Sequence, residues 1–405
     1  MLQAIKNLFG GNKYKNHPEA IIISCFYNPT NSPYRLKAFQ EYHKTIKHLN
    51  HYIIECVIGE GDNQLSGIAH ETVKTDSLLW HKEGLINLVV SRLPKKFKYV
   101  YWVDADVLFQ NKNWMVDGVE ELKKGAKIIQ PFDVCIHLNK DQMKPDFDVE
   151  AKKKHLDSLP VRHKQMWRSF AYNNALKRLE GVSTNYDLHG HVGFAWGAQR
   201  EVLEAVPLYD KALIGGADHI IAHAAMGQIP HSCITKSFAD NLDEVVKWSQ
   251  RFYQVVEGRI GYVSGDLWHI WHGEIQKRQY LKRIQDFTKK TTVIQKRDDN
   301  GLYVNEDGET DDYIRRYFNH RETVTDPYNV LYNESNPIHV AIDAADPSVF
   351  HPQLDDFGGG SGGGAGAGGS WDTPQADVGN TPDSGPTDFI QGGDIEAAIE
   401  SQNFS

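Results

Sequence analysis

The sequence predicts an α/β fold, a mostly parallel sheet flanked by helices, and three observations predict it. The run AIIISCF (Ala20–Phe26), and YVYWV within KYVYWVDADVLF (Lys98–Phe109), are apolar at consecutive positions, as strands covered on both faces are. Stretches of helical spacing lie between such runs, and that alternation marks parallel strands joined by helices. The composition, 405 residues with 40% hydrophobic and 24% charged, leaves ample length to bury a core.

The elements follow in order. A lead-in over 1–19 carries Lys6, Lys13 and Lys15 but lacks the apolar centre of a secretory signal. Ala20–Phe26 runs into Tyr27-Asn28-Pro29, a strand followed by a loop. Tyr34 to Leu49 has helical spacing, and His51–Gly59 reads as a second strand. A weaker strand, Ile68–Thr75, precedes a helix from about His81 to Leu93, and Lys98–Phe109 is the strongest strand. A polar, basic segment is inserted over about 139–181. His191–Gly227 then reads as a small-residue strand, a helix, a bulky loop and a second helix start. This domain is expected over 20–290, with a helical extension over 291–340. Residues 341–405 form a tail. Its run Gly358–Ser370 holds nine glycines in thirteen residues, a flexible coil with nothing to bury. The Pro-, Asp- and Thr-rich stretch after it is expected to be disordered. Asp394–Phe404 suits a short helix at the end of a solubilising tail.

Composition narrows the function classes. No stretch approaches the ~18 apolar residues that span a bilayer, so no membrane insertion is expected. Cys25, Cys56, Cys135 and Cys233 are scattered without a CxxC pair and read as reduced thiols, which makes the cytoplasm the expected compartment. The net charge of −9 belongs to the tail, where residues 341–405 hold 11 acidic and no basic side chains. Without them, 44 basic residues face 42 acidic ones. The acidic total therefore does not exclude a nucleic-acid partner.

Asp104 and Asp106 are the first candidates for chemistry. Two carboxylates at i and i+2, at the end of a buried strand, leave the sheet together and repel unless a cation separates them. A divalent ion that takes oxygen ligands and carries substrate phosphates is the natural occupant. A strand ending in solvated aspartates has the same spacing, so other segments must decide. Two do: Gly215-Gly216-Ala217-Asp218 at a helix start, and DLWHIWHGEIQKRQY (Asp266–Tyr280). With these in order, roughly residues 20–285 resemble the GT-A glycosyltransferases, and the layout of His191–Gly227 is similar to inverting members of that fold. The chain departs at Ala217, where those members carry Glu.

The resemblance implies a role for each residue. Asp104, Asp106 and His272 would hold Mn²⁺ or Mg²⁺, with His269 the second choice for the histidine, and the ion would neutralise the departing diphosphate. Asp218 would be the general base that deprotonates the acceptor hydroxyl. Ser24, Tyr27 and Asn28 would hold the base and ribose of the nucleotide-sugar, a UDP-sugar. Lys82, Asp104 and Lys277 would reach the rest of the donor. Retaining enzymes share the DxD and the histidine, so stereochemistry stays open at this point.

Other readings compete. His219 and His223 stand at i, i+4 as zinc-binding histidines do, but the segment reads HIIAH without the HExxH glutamate, so a packed or acceptor-facing helix is expected. His189 and His191 are expected to line the acceptor side or cap a strand. Trp268 and Trp271 suit sugar stacking or, more often, a core. VDADVLF also fits a haloacid-dehalogenase-type phosphatase, with Gly265-Asp266 imitating its late acidic motif, and Ala217 leaves room for an inactive binding module.

The acceptor divides two ways. Basic and aromatic residues interleave over 152–178 (Lys152, Lys153, Lys154, Arg162, Lys164, Arg168, Lys177 and Arg178 with Trp167, Phe170 and Tyr172), and 277–297 holds eight Lys or Arg. Such stretches suit a phosphate backbone and an unstacked base, or are plain solvated helix faces. The chain resembles the DNA-base glycosyltransferases of phage and bacterial DNA hypermodification, which implies a hydroxylated base flipped out of its stack. A glycan acceptor, of lipopolysaccharide, capsule or glycoprotein type, is the alternative. Deleting everything after Phe357 is expected to leave turnover unchanged; a large loss in a truncation assay would show that the tail takes part.

Overall fold

The apolar runs become the centre of the sheet. In this computed structural model the described residues are 13–158, 165–176, 189–229, 242–273 and 294–322. Among them, β1 (Ala20–Tyr27), β2 (His51–Ile58), β3 (Glu71–Thr75) and β4 (Tyr99–Val103) join β6 (Ile128–Gln130), β9 (Ala195–Gln199) and β10 (Ile260–Tyr262) in a seven-stranded sheet. Its order is β10-β6-β9-β4-β1-β2-β3. The ladders β1–β2, β1–β4, β2–β3 and β6–β10 are parallel, whereas β9 runs antiparallel to both β4 and β6.

Successive side chains of a strand point to opposite faces, and both faces are covered, which is why the strands read as unbroken apolar runs. Ile21 and Ile23 of β1, with Val100 and Trp102 of β4, pack under α2 (Lys82–Arg92), α6 (Arg200–Ala205), α7 (Ala217–Ala225) and α8 (Leu242–Val256). Ala20, Ile22, Tyr101 and Val103 face α1 (Pro33–Ile46) and α3 (Trp114–Lys123). The expected mostly parallel, helix-flanked sheet is therefore present. None of the described helices is long and apolar enough to cross a membrane.

One expected element divides. Lys98–Phe109 is not one strand: β4 stops at Val103, Asp104-Ala105-Asp106 turns, and β5 (Val107–Phe109) enters a second sheet. That sheet has the order β5-β11-β7-β8, with β7 (Val134–His137), β8 (Met166–Arg168) and β11 (Asp266–His269). The inserted segment supplies α4 (Val149–Ser158), β8 and α5 (Phe170–Ala175). In the segment expected as an extension, α9 (Gly308–Glu322) places Ile314, Tyr317 and Phe318 in the same core as α2, and Arg297 pairs with Asp210 at 2.8 Å. The tail over 341–405 lies outside the described residues.

Tyr101 shows how tightly this sheet is packed. Its hydroxyl donates to Met115 O at 2.9 Å, and its ring lies where two glycines leave room. A Cβ on Gly197, its partner in β9, would stand 2.6 Å from the ring, and one on Gly118 of α3 would stand 2.4 Å from the hydroxyl. Gly197→Ala is expected to cost about 1–3 kcal/mol through overpacking, read as a fall in Tm of about 2–4 °C per kcal/mol. Gly308→Ala, where a Cβ meets nothing, is expected to cause no such fall.

Candidate active site

The two aspartates sit where the chain crosses from one sheet to the other, at the carboxyl end of β4. Ligands of open α/β sheets bind at that end. Backbone hydrogen bonds hold the crossing on both sides: Asp104 N donates to Phe194 O at 2.7 Å, and Ile270 N donates to Asp106 O at 2.8 Å. Phe194 is held at φ 77°, a region that bulky residues rarely enter. Its ring stacks between His191, at 4.1 Å, and His269, at 4.9 Å.

The second sheet brings the histidines to Asp106. His269 of β11 pairs with Val107 across the β5–β11 ladder, one residue beyond Asp106. His272 Nε2 lies 2.9 Å from Asp106 Oδ2, His269 Nε2 lies 3.8 Å from that oxygen, and the two ring nitrogens are 3.2 Å apart. Donor atoms at these separations can share one ion at about 2.1 Å each. Asp106, His269 and His272 thus form a candidate metal cluster, and the sequence's first and second choices of histidine both belong to it. One carboxylate with two imidazoles suits Mn²⁺ better than Mg²⁺, which prefers an all-oxygen shell.

Asp104 faces the other half of the cleft. Lys82 Nζ lies 3.3 Å from Asp104 Oδ1, 3.1 Å from Asp218 Oδ2 and 3.6 Å from Glu83 Oε1. Burial alone would lower the lysine's pKa, but Asp104, Asp218 and Glu83 outweigh it and hold the ammonium charged. Burial also raises the Asp218 carboxyl, with Asp104 adding to the rise and Lys82 opposing it. Glu83 is raised by burial too, against the pull of Lys82. Asp218 stands in the first turn of α7, behind Gly215 and Gly216 at φ 90° and 96°. These left-handed positions favour glycine and turn the helix start toward the cleft. Ala217, beside Asp218, is 1% exposed and packs in the core.

Tyr27, Lys82, Asp104, Asp106, Asp218 and His272 line this one cleft. Ser24 and Asn28 do not: Ser24 Oγ bonds Tyr42 Oη at 2.5 Å, and Asn28 braces the loop through Ser32 and Gln64. Both side chains serve the fold, because polar groups buried behind a strand end must bond one another. Lys277 lies outside the described residues, as do Arg162, Lys164, Lys177, Arg178 and residues 277–293 of the second basic stretch. Among the described members of the first stretch, Lys153 pairs with Asp266 at 2.6 Å and Arg168 with Asp133 at 3.5 Å. Trp167 and Phe170 are core residues, buried at 5% and 0% exposure. Asp266, the phosphatase reading's second acid, is held by Lys153 and does not line the cleft.

Sequence reasoning missed four lining or bracing residues: Arg35, Glu83, Phe194 and His137, whose ring lies 4.7 Å from that of His269. An acidic residue, Glu83, within the apolar face of a helix was the available signal. The strain at Phe194 leaves no trace in a sequence.

No family model and no curated protein matches the chain. Solved structures do. Glucosyl-3-phosphoglycerate synthase from Mycobacterium tuberculosis, in complex with Mg²⁺ and UDP, is 11% identical over 72% of this chain and 83% of that one, with a TM-score of 0.33. The same enzyme with Mn²⁺, UDP and phosphoglyceric acid is 13% identical over 73% and 82%, at a TM-score of 0.34. Mannosyl-3-phosphoglycerate synthase from Rubrobacter xylanophilus is 11% identical over 71% and 75%, at 0.32. At these scores the reading of the site rests on its own geometry.

Removing the Lys82 charge is the direct test of this electrostatics. Lys82→Met is expected to cost about 3 kcal/mol near pH 8, the low end for breaking a buried ion pair because the cleft meets solvent. The carboxylates left behind bind protons more readily in the folded chain than in the unfolded one. Stability of the variant therefore falls as pH rises, and the loss shrinks toward pH 5. Denaturant titrations at both pH values check this, and an equal loss at both would contradict it.

Proposed function

We propose that the chain is a metal-dependent glycosyltransferase of the GT-A type, moving a sugar from a nucleotide-sugar, UDP-linked by resemblance, to an acceptor hydroxyl with inversion. One observation carries the proposal: Asp106, His269 and His272 converge within 4.8 Å, next to Asp104, in the cleft that also holds the raised carboxyl of Asp218. Mn²⁺, bound there, would supply Lewis-acid stabilisation to a diphosphate leaving group.

The chain's own residues do the rest. Lys82 offers a charged donor to the diphosphate while it keeps Asp104 and Asp218 from repelling each other. Asp218 takes the proton of the acceptor hydroxyl as that oxygen bonds to the anomeric carbon, and the bond from that carbon to the diphosphate oxygen breaks. A carboxyl raised above its ordinary range is a stronger base than an unperturbed one. In such a displacement base and leaving group act from opposite sides, so the product is inverted at the anomeric carbon.

For the acceptor, the hydroxylated DNA base implied by resemblance has the weaker support. Of the four described cations of the first basic stretch, Lys153 and Arg168 are engaged by Asp266 and Asp133, and Trp167 and Phe170 are buried. These observations weaken the DNA reading and leave a saccharide acceptor as the alternative. Ionic strength separates the two, since transfer to DNA weakens steeply with salt and transfer to a neutral glycan does not.

A nucleoside diphosphate with Mn²⁺ is expected to raise the Tm of the chain by mass action. The shift should require both components and vanish in Asp106→Ala. Asp218→Asn is expected to keep the shift and lose transfer by about 10²–10⁴-fold. Absence of a shift with every nucleotide would sink the donor assignment, and normal turnover in Asp218→Asn would remove it as the base.

A further inference from the structure

A second group of ligand nitrogens lies behind the cleft, and the glycosyltransferase reading makes no use of it. His189, His219 and His223 are 3%, 0% and 1% exposed, and one ring nitrogen of each lies within 4.8 Å of the others. His219 and His223 are one turn apart on α7. The sequence showed that pair but lacked a third partner, and the fold supplies it from the chain ahead of β9.

The tautomers follow from what the outer nitrogens touch. His189 Nδ1 lies 2.7 Å from Gly190 O. A carbonyl only accepts, so Nδ1 carries the proton and Nε2 keeps its lone pair. His223 Nδ1 lies 3.2 Å from Gln228 Oε1, which leaves His223 Nε2 unprotonated by the same logic. His189 Nε2 lies 3.2 Å from His219 Nε2, the edge length of a tetrahedron of nitrogens around one ion at about 2.0–2.1 Å. An outer nitrogen donating to an oxygen is how ligating histidines are oriented.

The backbone holds His189 in place. Gly190, at φ 84°, passes so close to the β8–α5 junction that a Cβ there would stand 2.7 Å from Arg168 O. His191 N donates to Arg168 O at 2.8 Å, and Phe170 N donates to His191 O at 3.0 Å.

We propose that His189, His219 and His223 form a structural site for a borderline-soft divalent cation, Zn²⁺. Three imidazoles, with no carboxylate in the cluster among the described residues, select zinc over Mn²⁺ or Mg²⁺, unlike the mixed donor set at Asp106. A fourth ligand completes the tetrahedron. Binding requires His219 to carry its proton on Nδ1 instead of Nε2, a change of tautomer of the neutral ring. The ion pins the first turns of α7 to the segment leading to Phe194, and Asp218 stands at the start of that helix. This inference is independent of the proposed reaction.

Co²⁺ tests it on the full chain after chelator treatment, because four-coordinate Co²⁺ absorbs strongly in the visible and oxygen-rich six-coordinate Co²⁺ does not. One equivalent is expected to produce the band in the wild type and in Asp106→Ala, and Zn²⁺ should abolish it. His219→Ala and His223→Ala should lose the band. Gln228→Leu, at a half-buried position, should keep the fold and weaken Co²⁺ binding about 10–100-fold, which covers the case of a histidine variant that fails to fold. No band in the wild type overturns the proposal. So does a band lost in Asp106→Ala and kept in His219→Ala, or Co²⁺ affinity unchanged in Gln228→Leu.

Discussion

Carboxylates gathered in a cleft repel one another, and the architecture around this cleft is organised by how that repulsion is met. Asp104 follows the last residue of the central strand, and Asp218 and Glu83 lie in the first turns of α7 and α2. Lys82 stands within 3.6 Å of all three. An arrangement of this kind is a poor source of stability, since desolvating the charges costs about as much as their attraction returns. Under the proposed reaction, its use would lie in placing one ammonium and several carboxylates where an anionic ligand and its counter-cation enter without rearranging the fold.

The same region depends on a change of sheet. Had Lys98–Phe109 continued as one strand, Asp104 and Asp106 would have pointed along a single ladder, far from β11. The turn at Asp104-Ala105-Asp106 instead sends the chain into the second sheet, where His269 is paired with Val107. Phe194 closes the junction from the start of β9. Its left-handed backbone costs of order 1–3 kcal/mol, and it is maintained by a hydrogen bond to Asp104 and by imidazole rings on both of its faces.

Two donor clusters of different chemistry flank the segment from His189 to Phe194. One combines a carboxylate with two imidazoles and opens on the cleft; the other is all nitrogen and buried. Ligand softness and exposure would sort an exchangeable ion that carries phosphates from a permanent one that only holds the chain. Both clusters act on α7 or on the crossing, so the positions of Asp218 and Asp104 are set by the same short stretch of backbone.

Local pattern was enough for the sheet, its helices and the candidate pair Asp104 and Asp106, because apolar periodicity and a carboxylate pair at a strand end are written in neighbouring residues. Asp218 and His272 became candidates only through the resemblance to the GT-A glycosyltransferases. Lys82 was legible only as a basic residue early in a helix. Its bridging of Asp104 and Asp218, 22 and 136 residues away, depends on β4, α2 and α7 meeting at one edge. Ser24 and Asn28 show the converse: polar residues after a first strand look like ligand contacts until their buried partners, Tyr42 and Ser32, are in place. The joining of His189 to His219 and His223, the pairing of Lys153 with Asp266, and the strained Phe194 were likewise decided by tertiary structure. Short-range periodicity reports which face of an element is buried, but the distance between charges or ligand nitrogens on different elements is set only when the layers pack.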